Sequence, residues 1–349
     1  MNESYNSLWL KIRIPVVIGV LALVPPLVFD PGATAQSTVI IQILSFMVLA
    51  LGLNIAFGHT DQLFLFVGAL AGIGAYGTAL TADWLGISPW FTILIGAISA
   101  GVVGAIVSYV AARRRFTIML IAILTLALQL AFIQLLIGAS HITGGNQGFR
   151  PWGGLPTGSI EAILGVSSQA ALYYLVLGVL AITMVVYHLL TTSKFGMAFD
   201  AIRQDEVAAE SVGVDVVRHK TLAGFVTALL IGFLGPFYAS TERILIPSLF
   251  DFVSIDVLVL IILVLGGVRT MMGAIIGAPL IIFIHHELRG LPEVALPLIG
   301  SVNLGQYRTA LFGLLLMGLF LYFRQGVVPN AQQVFQRLSK IGPTPSEES

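Results

Sequence analysis

The chain has 349 residues, of which 57% are hydrophobic and only 10% are charged, and its mean hydropathy is +0.96. A soluble globular protein carries about a quarter charged residues, so this composition excludes that class and indicates one polytopic integral membrane domain. The net charge of zero gives no sign of a nucleic-acid partner, and the lack of cysteine excludes disulfides, a thiol nucleophile and a cysteine-based metal site.

Apolar stretches of membrane length recur along the chain and are separated by charges, prolines and turn residues. They predict an all-α, polytopic membrane protein with about eight to ten transmembrane helices over residues 14–323, preceded by residues 1–13 and followed by a tail at 324–349. Several stretches are short for a hydrocarbon core about 30 Å thick. Weak separators at 58–62 and 266–273 leave re-entrant or broken helices open. The ten candidate spans are 14–29, 38–57, 63–82, 89–111, 116–138, 170–192, 220–241, 252–268, 271–288 and 305–323.

The distribution of Lys and Arg predicts the orientation, because positive charge is retained on the cytoplasmic side. With the N-terminus inside, 13 of the 17 basic residues fall in inner segments. We therefore expect a multi-pass protein of the inner (cytoplasmic) membrane with both termini in the cytoplasm. The first apolar stretch has signal-peptide features, but three prolines separate it from the small-residue pattern at 33–35, so we expect it to be retained.

Small residues four apart lie on one face of several predicted helices. Because no hydrophobic force acts between helices in lipid, such faces let backbones approach and gain dispersion contacts. They predict close helix packing. The sets are Gly68 with Gly72, Gly224 with Ala228 and Gly232, and Gly273 with Gly277.

The polar segment at 194–220, on the predicted inner side, has the signals of a short helix. Asp205 can cap its start, Glu206 lies favourably in the first turn, and Gly213 suits the left-handed position after its end. A helix of about seven residues is marginal in water. It must therefore pack either against its own membrane domain or against a cytoplasmic partner.

Several stretches, in order and spacing, are similar to the permease subunits of ATP-binding-cassette importers for branched-chain amino acids. The loop at 201–220, followed by the stretch at 254–268, is the most specific part of this resemblance, which covers most of the chain. The matching stretches are LGLNIAFG (51–58), GIGAYGTA (72–79), LTLAL (124–128), TGGNQG (143–148), AIRQDEVAAESVGVDVVRHK (201–220), SIDVLVLIILVLGGV (254–268), GAIIGA (273–278) and LFGLLLMGLFLYFRQG (311–326).

The resemblance implies an all-helical importer permease that pairs with a second homologous permease and lies on two cytoplasmic ATPase subunits. An extracytoplasmic binding protein would deliver the solute. No G-x-x-x-x-G-K-[ST] phosphate-binding loop occurs in the sequence, so ATP and magnesium are expected in the partner subunits, with no cofactor in this chain. The short helix then becomes the coupling helix to the ATPases, with the residues Asp205, Glu206, Val207, Ala208, Ala209, Glu210 and Gly213.

The sequence departs from that family between Asp61 and Ala69, where it reads DQLFLFVGA and family members usually resemble GQLSLGHAA. Phe64, Phe66 and Val67 replace serine, glycine and histidine. The pathway is therefore narrower, differently shaped or built for another solute. We expect a branched-chain amino acid or a related small solute such as another amino acid, urea or an amide.

Polar groups at membrane depth are costly unless they face protein or water, so they are the candidates for the translocation path. Hydrogen bonding between helices is the alternative role for each. The candidates are Asn54, His59, Asp61, Gln62, Thr125 and Gln129. His59 and Asp61 lie at a predicted inner helix end, where headgroups and water would solvate them, which argues against a proton relay or a metal site. Asp256, near the outer end of its predicted span, suits a structural hydrogen bond or a pathway role equally.

The outer loop at 139–169 is rich in Gly, Pro and Ser. Its glycines permit close backbone approach, which suits an extracytoplasmic entrance, although a surface turn is the alternative. The candidate entrance residues are Thr143, Gly144, Gly145 and Asn146.

Two other classes of protein compete with the importer. A self-contained ion-coupled transporter or channel needs carboxylates or histidines well inside the spans, and these are nearly absent. An intramembrane enzyme needs paired catalytic groups. The closest pair, Asp251 and Asp256, is five residues apart, so the two residues do not share one helical face. We therefore predict no catalytic residue and no metal site.

Overall fold

A computed structural model describes residues 14–23, 34–287, 293–296, 300–303, 313–314 and 317–318. The described part is helical apart from two four-residue strands and the connecting segments, in agreement with the predicted all-α fold. The long helices follow the apolar stretches, and local caps set their starts. Thr117 and Ser167, for example, accept backbone N–H bonds at the starts of two of them.

The α-helices, in chain order, are α1 (14–22), α2 (Thr34–Leu53), α3 (Val67–Leu85), α4 (Pro89–Arg113), α5 (Ile118–Gly138), α6 (Ser140–Thr143), α7 (Gly158–Leu164), α8 (Ser168–Thr192), α9 (Lys194–Gln204), α10 (Glu206–Ser211), α11 (Val216–Glu242), α12 (Asp256–Gly266) and α13 (Met271–Glu287). A π-turn at Asn54–Gly58 continues α2, and 3-10 turns lie at Gly145–Gln147 and Pro247–Phe250. Strands β1 (Glu293–Leu296) and β2 (Gly300–Asn303) pair antiparallel.

Five helices of the described part are long and apolar enough to cross a membrane: the stretch Ser37–Gly58 and helices α4, α5, α8 and α11. Helix α3 is less apolar, because Gly, Ala and Thr replace larger side chains along it. Twelve of its nineteen residues are buried in the bundle, so protein rather than lipid surrounds most of this helix.

Two predicted spans were wrong in their bounds. The span at 63–82 begins only at Val67, because residues 61–66 are not helical. The span at 252–268 contains a helix of 11 residues, Asp256–Gly266, which at about 1.5 Å per residue is only about 16 Å long and is too short to cross a bilayer. The predicted span at 14–29 is described only over residues 14–23, and most of the span at 305–323 lies outside the described residues.

Helix α11 is the centre of the bundle and packs against α4, α3 and α2. Its small residues allow this, as the glycine pattern predicts. A Cβ atom added to Gly74 of α3 would lie 1.9 Å from the carbonyl oxygen of Gly232 in α11, and one added to Gly224 would lie 1.7 Å from the hydroxyl of Ser108 in α4. The backbones of α3 and α11 are therefore in direct contact, while at Gly224 only the small side chain of Ser108 separates α11 from α4.

The chain divides into two compact units, Met1–Leu260 and Ile261–Ser349. In the second unit the end of α12 packs closely on α13, since a Cβ on Gly266 would lie 2.0 Å from the Gly273 carbonyl oxygen. The four residues between these helices include Gly267 and Arg269, both at positive φ. The weak separator at 266–273 is therefore a sharp turn between two short helices.

Candidate translocation site and coupling segment

A broken helix is the main irregularity inside the first unit. After the π-turn at Asn54–Gly58 and residues 59–60, the chain leaves helical conformation over 61–66. Asp61 has φ +53°, in the left-handed region that non-glycine residues seldom adopt. The amide of Gln62 donates back to the carbonyl of Ala56 at 3.1 Å, so the usual helical ladder stops here. Backbone groups freed by such a break need other partners.

Two side chains of α5 bind the far side of the break. The hydroxyl of Thr125 accepts from the Leu65 amide at 2.9 Å, and Oε1 of Gln129 accepts from the Ala69 amide at 2.6 Å. The Nε2 group of Gln129 donates to the Phe250 carbonyl at 2.7 Å. Helix α5 thus joins the start of α3 to the 3-10 turn that precedes α12.

Asp256, the first residue of α12, binds the N-terminus of α3. Its Oδ1 atom accepts from the Val67 amide at 2.5 Å, and Oδ2 accepts from the Gly68 amide at 3.3 Å. A Cβ on Gly68 would lie 2.4 Å from the Phe250 carbonyl oxygen, so this close approach requires glycine. A carboxylate at a helix N-terminus is favourable because it meets free N–H groups and the positive end of the helix dipole.

These contacts form what we call the polar junction: the backbone of residues 65–69 with the side chains of Thr125, Gln129 and Asp256. The three side chains belong to residues that are at most 1% exposed. Gln129 is the twelfth of the 21 residues of α5, so the junction lies near the middle of that helix. Asp256 is the first residue of its own helix, in agreement with its place near the end of the predicted span, but this helix begins beside the middle of α5.

Phe64 and Phe66, the bulky replacements identified in the sequence, lie inside the break. They are 0% and 1% exposed, and their rings pack edge to face with centroids 5.1 Å apart. They fill space beside the polar junction that smaller residues would leave open. That this narrows or reshapes a solute pathway stays a prediction.

Asn54 and His59 lie on the near side of the break and meet at Tyr187 of α8. The Tyr187 hydroxyl is 2.9 Å from Nε2 of His59 and 3.4 Å from Nδ2 of Asn54. The expectation that water and headgroups solvate His59 was wrong, because α8 covers it and it is 8% exposed. Among the described residues no group of three His, Asp or Glu side chains could hold a metal ion.

Asp61 and Gln62 bind the polar segment at 194–220. Asp61 pairs with Arg203 of α9, with Oδ1 3.1 Å from Nε, and its side chain is only 28% exposed. The expectation that Asp61 is simply solvated was therefore also wrong. Gln62, fully buried, donates from Nε2 to the Lys220 carbonyl at 3.0 Å. The six predicted path residues thus fall into two groups, one at the polar junction and one at the near side of the break.

The predicted short helix is confirmed as α10, Glu206–Ser211. Asp205 caps it by accepting from the amides of Val207 and Ala208 at 2.8 and 3.0 Å. Gly213 follows the helix at φ +88°. The local sequence signals were sufficient here because every capping contact spans three residues or fewer.

Helix α10 buries one face against its own chain and exposes the other. Ala209 is 2% exposed and packs with Ile202 and Val216. Ala209 was therefore wrongly assigned to a surface that docks on a partner. Val207 and Val212, by contrast, are 64% and 76% exposed, and Ala208 is exposed beside them.

Two ion pairs fix α10 to neighbouring elements. Glu206 binds Lys220 at the start of α11, and this lysine side chain is only 4% exposed. Glu210 binds Arg115 in the turn between α4 and α5 at 2.8 Å. The latter pair is largely exposed, so its contribution to stability is small. Two of the three acidic residues of the predicted coupling set, Glu206 and Glu210, therefore bind the chain itself.

We expect Asp205→Ala to destabilise α10 locally by about 1 kcal/mol, the usual cost of losing an N-cap side chain. The amides of Val207 and Ala208 should then exchange hydrogen faster. Asp215→Ala is the matched control, because Asp215 caps the next helix by accepting from the Arg218 amide. Unchanged exchange at residues 207 and 208 in Asp205→Ala would contradict the capping role.

The predicted entrance residues lie at the other end of α5. Thr143 is buried and donates to the Leu136 carbonyl at 2.6 Å, while Gly144 and Gly145 both have positive φ. Asn146 is exposed. Gly144 and Asn146 line an open cavity of about 810 Å³ together with Asp83, Trp84, Ile137, Ser140, His141, Ile142, Gln147, Gly148, Phe149, Arg150 and Pro151.

A second cavity, of about 440 Å³, lies where α5 begins. Residues of the break, of α5 and of the polar segment line it, among them Asp61, Thr117, Arg203 and Lys220. Helix α5 runs from this cavity to the first one over 21 residues, which is about 31 Å. The two cavities therefore lie at opposite ends of a membrane-length helix, with the polar junction between them.

The sequence did not indicate several residues that complete this site. Tyr187, Arg203 and Lys220 hold the near side of the break. Asp256, which the sequence did indicate for a hydrogen bond or a pathway role, holds the far side through partners that the sequence did not indicate. Their partners are between 14 and 189 residues away in the chain, so no local spacing reveals them. The only available signal is that a polar group inside an apolar stretch must find a partner.

A helical bundle with membrane-length apolar helices and a broken helix near its middle defines a multi-pass membrane protein, and transport proteins use broken helices of this kind. The family described as "Branched-chain amino acid transport system / permease component" matches residues 36–323, and the chain belongs to it. The predicted resemblance is confirmed.

Three relatives show the range of similarity. The high-affinity branched-chain amino acid transport system permease protein LivM of Escherichia coli (strain K12) is 27% identical over 82% of this chain and 71% of its own length. LivM of Salmonella typhimurium is 27% identical over 81% of this chain and 70% of its length. A probable branched-chain amino acid transport permease protein LivH of Methanocaldococcus jannaschii is 26% identical over 67% and 74%. No solved structure matches this chain.

Proposed function

We propose that this chain is the membrane-spanning subunit of an ATP-driven importer in the inner membrane. It pairs with a homologous permease and carries a branched-chain amino acid, or a related small solute, by alternating access. Membership of the permease family supports the transport role. The observation that carries the ATP-driven part is α10, a short capped helix with exposed apolar side chains beside the ends of long apolar helices.

The exposed face of α10 is the surface that contacts the ATPases. We call Val207, Ala208 and Val212 the coupling face. An exposed valine on the helix, Val207, and another at its C-terminal cap, Val212, gain free energy by leaving water. The helix itself is held in place by Ala209 and its ion pairs. A fixed element with an unburied apolar face suits a cleft on another subunit. ATP and magnesium bind in that subunit, and this chain carries out no covalent chemistry.

The orientation follows from the basic residues. The basic residues support an orientation with segment 194–220 and the arginines at 113–115 on the cytoplasmic side. In this orientation the 440 Å³ cavity is inside and the 810 Å³ cavity is outside. The outer cavity, with Asn146 and Arg150 in its wall, receives solute from the binding protein. Solute then passes between this chain and its partner permease, while the polar junction, which is buried inside this chain, holds the broken helix in place.

We expect replacement of Val207 and Ala208 by glutamate to prevent ATPase subunits from co-purifying with the chain. Two charges in an apolar contact would lose their hydration without a partner, which weakens binding by about tenfold or more. ATP-dependent uptake of labelled leucine into liposomes should fall with it. Detection of bound subunits by mass spectrometry and the uptake assay check this result.

Ile163→Glu is the matched control, since Ile163 is 81% exposed on another short helix, α7. That variant should retain the ATPases. If the double variant also retained them, the coupling face would be wrong. Leucine uptake by the unmodified chain alone, in liposomes without ATP, would contradict the importer and favour a self-contained ion-coupled carrier.

A further inference from the structure

Arg203 joins the coupling segment to the broken helix through two acceptors at once. Its Nε atom lies 3.1 Å from Oδ1 of Asp61, and its Nη1 group donates to the Gly58 carbonyl at 2.9 Å. Gly58 ends the π-turn, and Asp61 begins the non-helical stretch. One guanidinium therefore spans the point at which the helix breaks.

The Gly58 carbonyl has lost its normal helical donor. In an α-helix it would accept from the amide four residues later, which belongs to Gln62, but that amide donates to Ala56 instead. Arg203 supplies the missing hydrogen bond. The geometry of the break thus depends on a side chain of α9. Arg203 lies two residues before Asp205, the cap of α10.

A second connection runs in parallel. Glu206, in the first turn of α10, binds the buried ammonium group of Lys220, and the Lys220 carbonyl accepts from Gln62. The segment that contains α10 is therefore connected to Asp61 through Arg203 and to Gln62 through Lys220. Arg203 of α9 and Lys220 of α11 thus connect α10 to the break.

We infer that Arg203 is a positioning residue that transmits nucleotide-driven movement of α10 to the broken helix at 58–66. The inference rests on the proposed function, because it takes the ATPases as the source of movement. The Arg203 and Asp61 side chains are 30% and 28% exposed, so their pair is partly hydrated and can exchange partners at low cost. An arginine is required, because its planar fork reaches both acceptors, whereas a lysine ammonium is a single point charge.

The test compares hydrogen exchange in the reconstituted complex with and without ATP and vanadate. In the unmodified complex, nucleotide should change exchange both in residues 205–213 and in residues 58–67. In Arg203→Gln the change at 205–213 should remain and the change at 58–67 should be lost. Arg203→Lys should keep a reduced change at 58–67. This difference between two segments of one molecule does not depend on the amount of folded protein.

Arg114→Gln is the matched control, because Arg114 is exposed. The substitution removes one positive charge from the same end of the molecule, as Arg203→Gln does. It should behave as the unmodified complex does. If Arg203→Gln fails to assemble, Asp61→Asn replaces it and should also reduce the change at 58–67. A full change at 58–67 in the Arg203 or Asp61 variants overturns the inference. A complex in which nucleotide changes nothing at 205–213, even unmodified, overturns the proposed function instead.

Discussion

Asp256→Leu is expected to lower the free energy of unfolding by about 3 kcal/mol, because it leaves the amides of Val67 and Gly68 buried without an acceptor. Each buried unsatisfied donor costs about 1–3 kcal/mol, and the relief of removing a buried carboxylate offsets part of this sum. Tryptophan fluorescence during thermal or SDS-induced unfolding in mixed micelles measures the change.

Two substitutions of Asp256 distinguish the contribution of its hydrogen bonds to stability from the contribution of its charge. Asp256→Asn keeps Oδ1 as an acceptor and should lose less stability than the leucine variant. Asp251→Asn is the control, since Asp251 is five residues away and partly exposed, and it should melt with the unmodified chain. Equal melting of Asp256→Leu and Asp251→Asn would show that the carboxylate does not hold the start of α3.

Gly74→Ala is the second variant with a large expected effect. The added methyl would lie 1.9 Å from the Gly232 carbonyl oxygen, so α3 and α11 must move apart and lose the contacts on either side. Overpacking of this kind costs about 1–3 kcal/mol and sometimes more, and here the obstacle is backbone that cannot rotate away. We expect poor recovery of monodisperse protein and a clearly lowered unfolding midpoint.

Gly178→Ala is the control, because the same substitution in a helix is expected to leave stability unchanged or slightly raised. Gly178 lies within α8, and a Cβ there would meet no atom within 4 Å. Alanine is favoured over glycine in a helix by about 1 kcal/mol, so this variant should be as stable as the unmodified chain or slightly more so. A Gly74→Ala variant that matched it would falsify the direct backbone contact between α3 and α11.

Most of the helical framework could be predicted from the sequence, because hydropathy and capping are local properties. The apolar run at 89–111 is α4, and Asp205 with Gly213 bounds α10. The start of α3 could not be predicted in this way. Residues 63–66 are apolar, and no local sequence signal distinguishes a buried non-helical segment from a helix.

The candidate site was predictable as a set of polar residues but not as an arrangement. Thr125 and Gln129 are separated by one helical turn, so their common face could be read from spacing. Their junction with Asp256 could not, because Asp256 lies 189 residues from Val67 in the chain. Membrane burial tells us that such groups need partners, and only the fold shows which partners they find.

The direct contacts of α3, α4 and α11 limit which parts of the molecule can move. Gly96 of α4 meets the Gly74 backbone, and Gly235 of α11 meets the backbone of Ala71. Helices that touch through backbone have no layer of side chains that could change rotamer while one slides past the other. We therefore expect these three helices to behave as one rigid body, with the degrees of freedom for transport confined to elements joined to it by side chains.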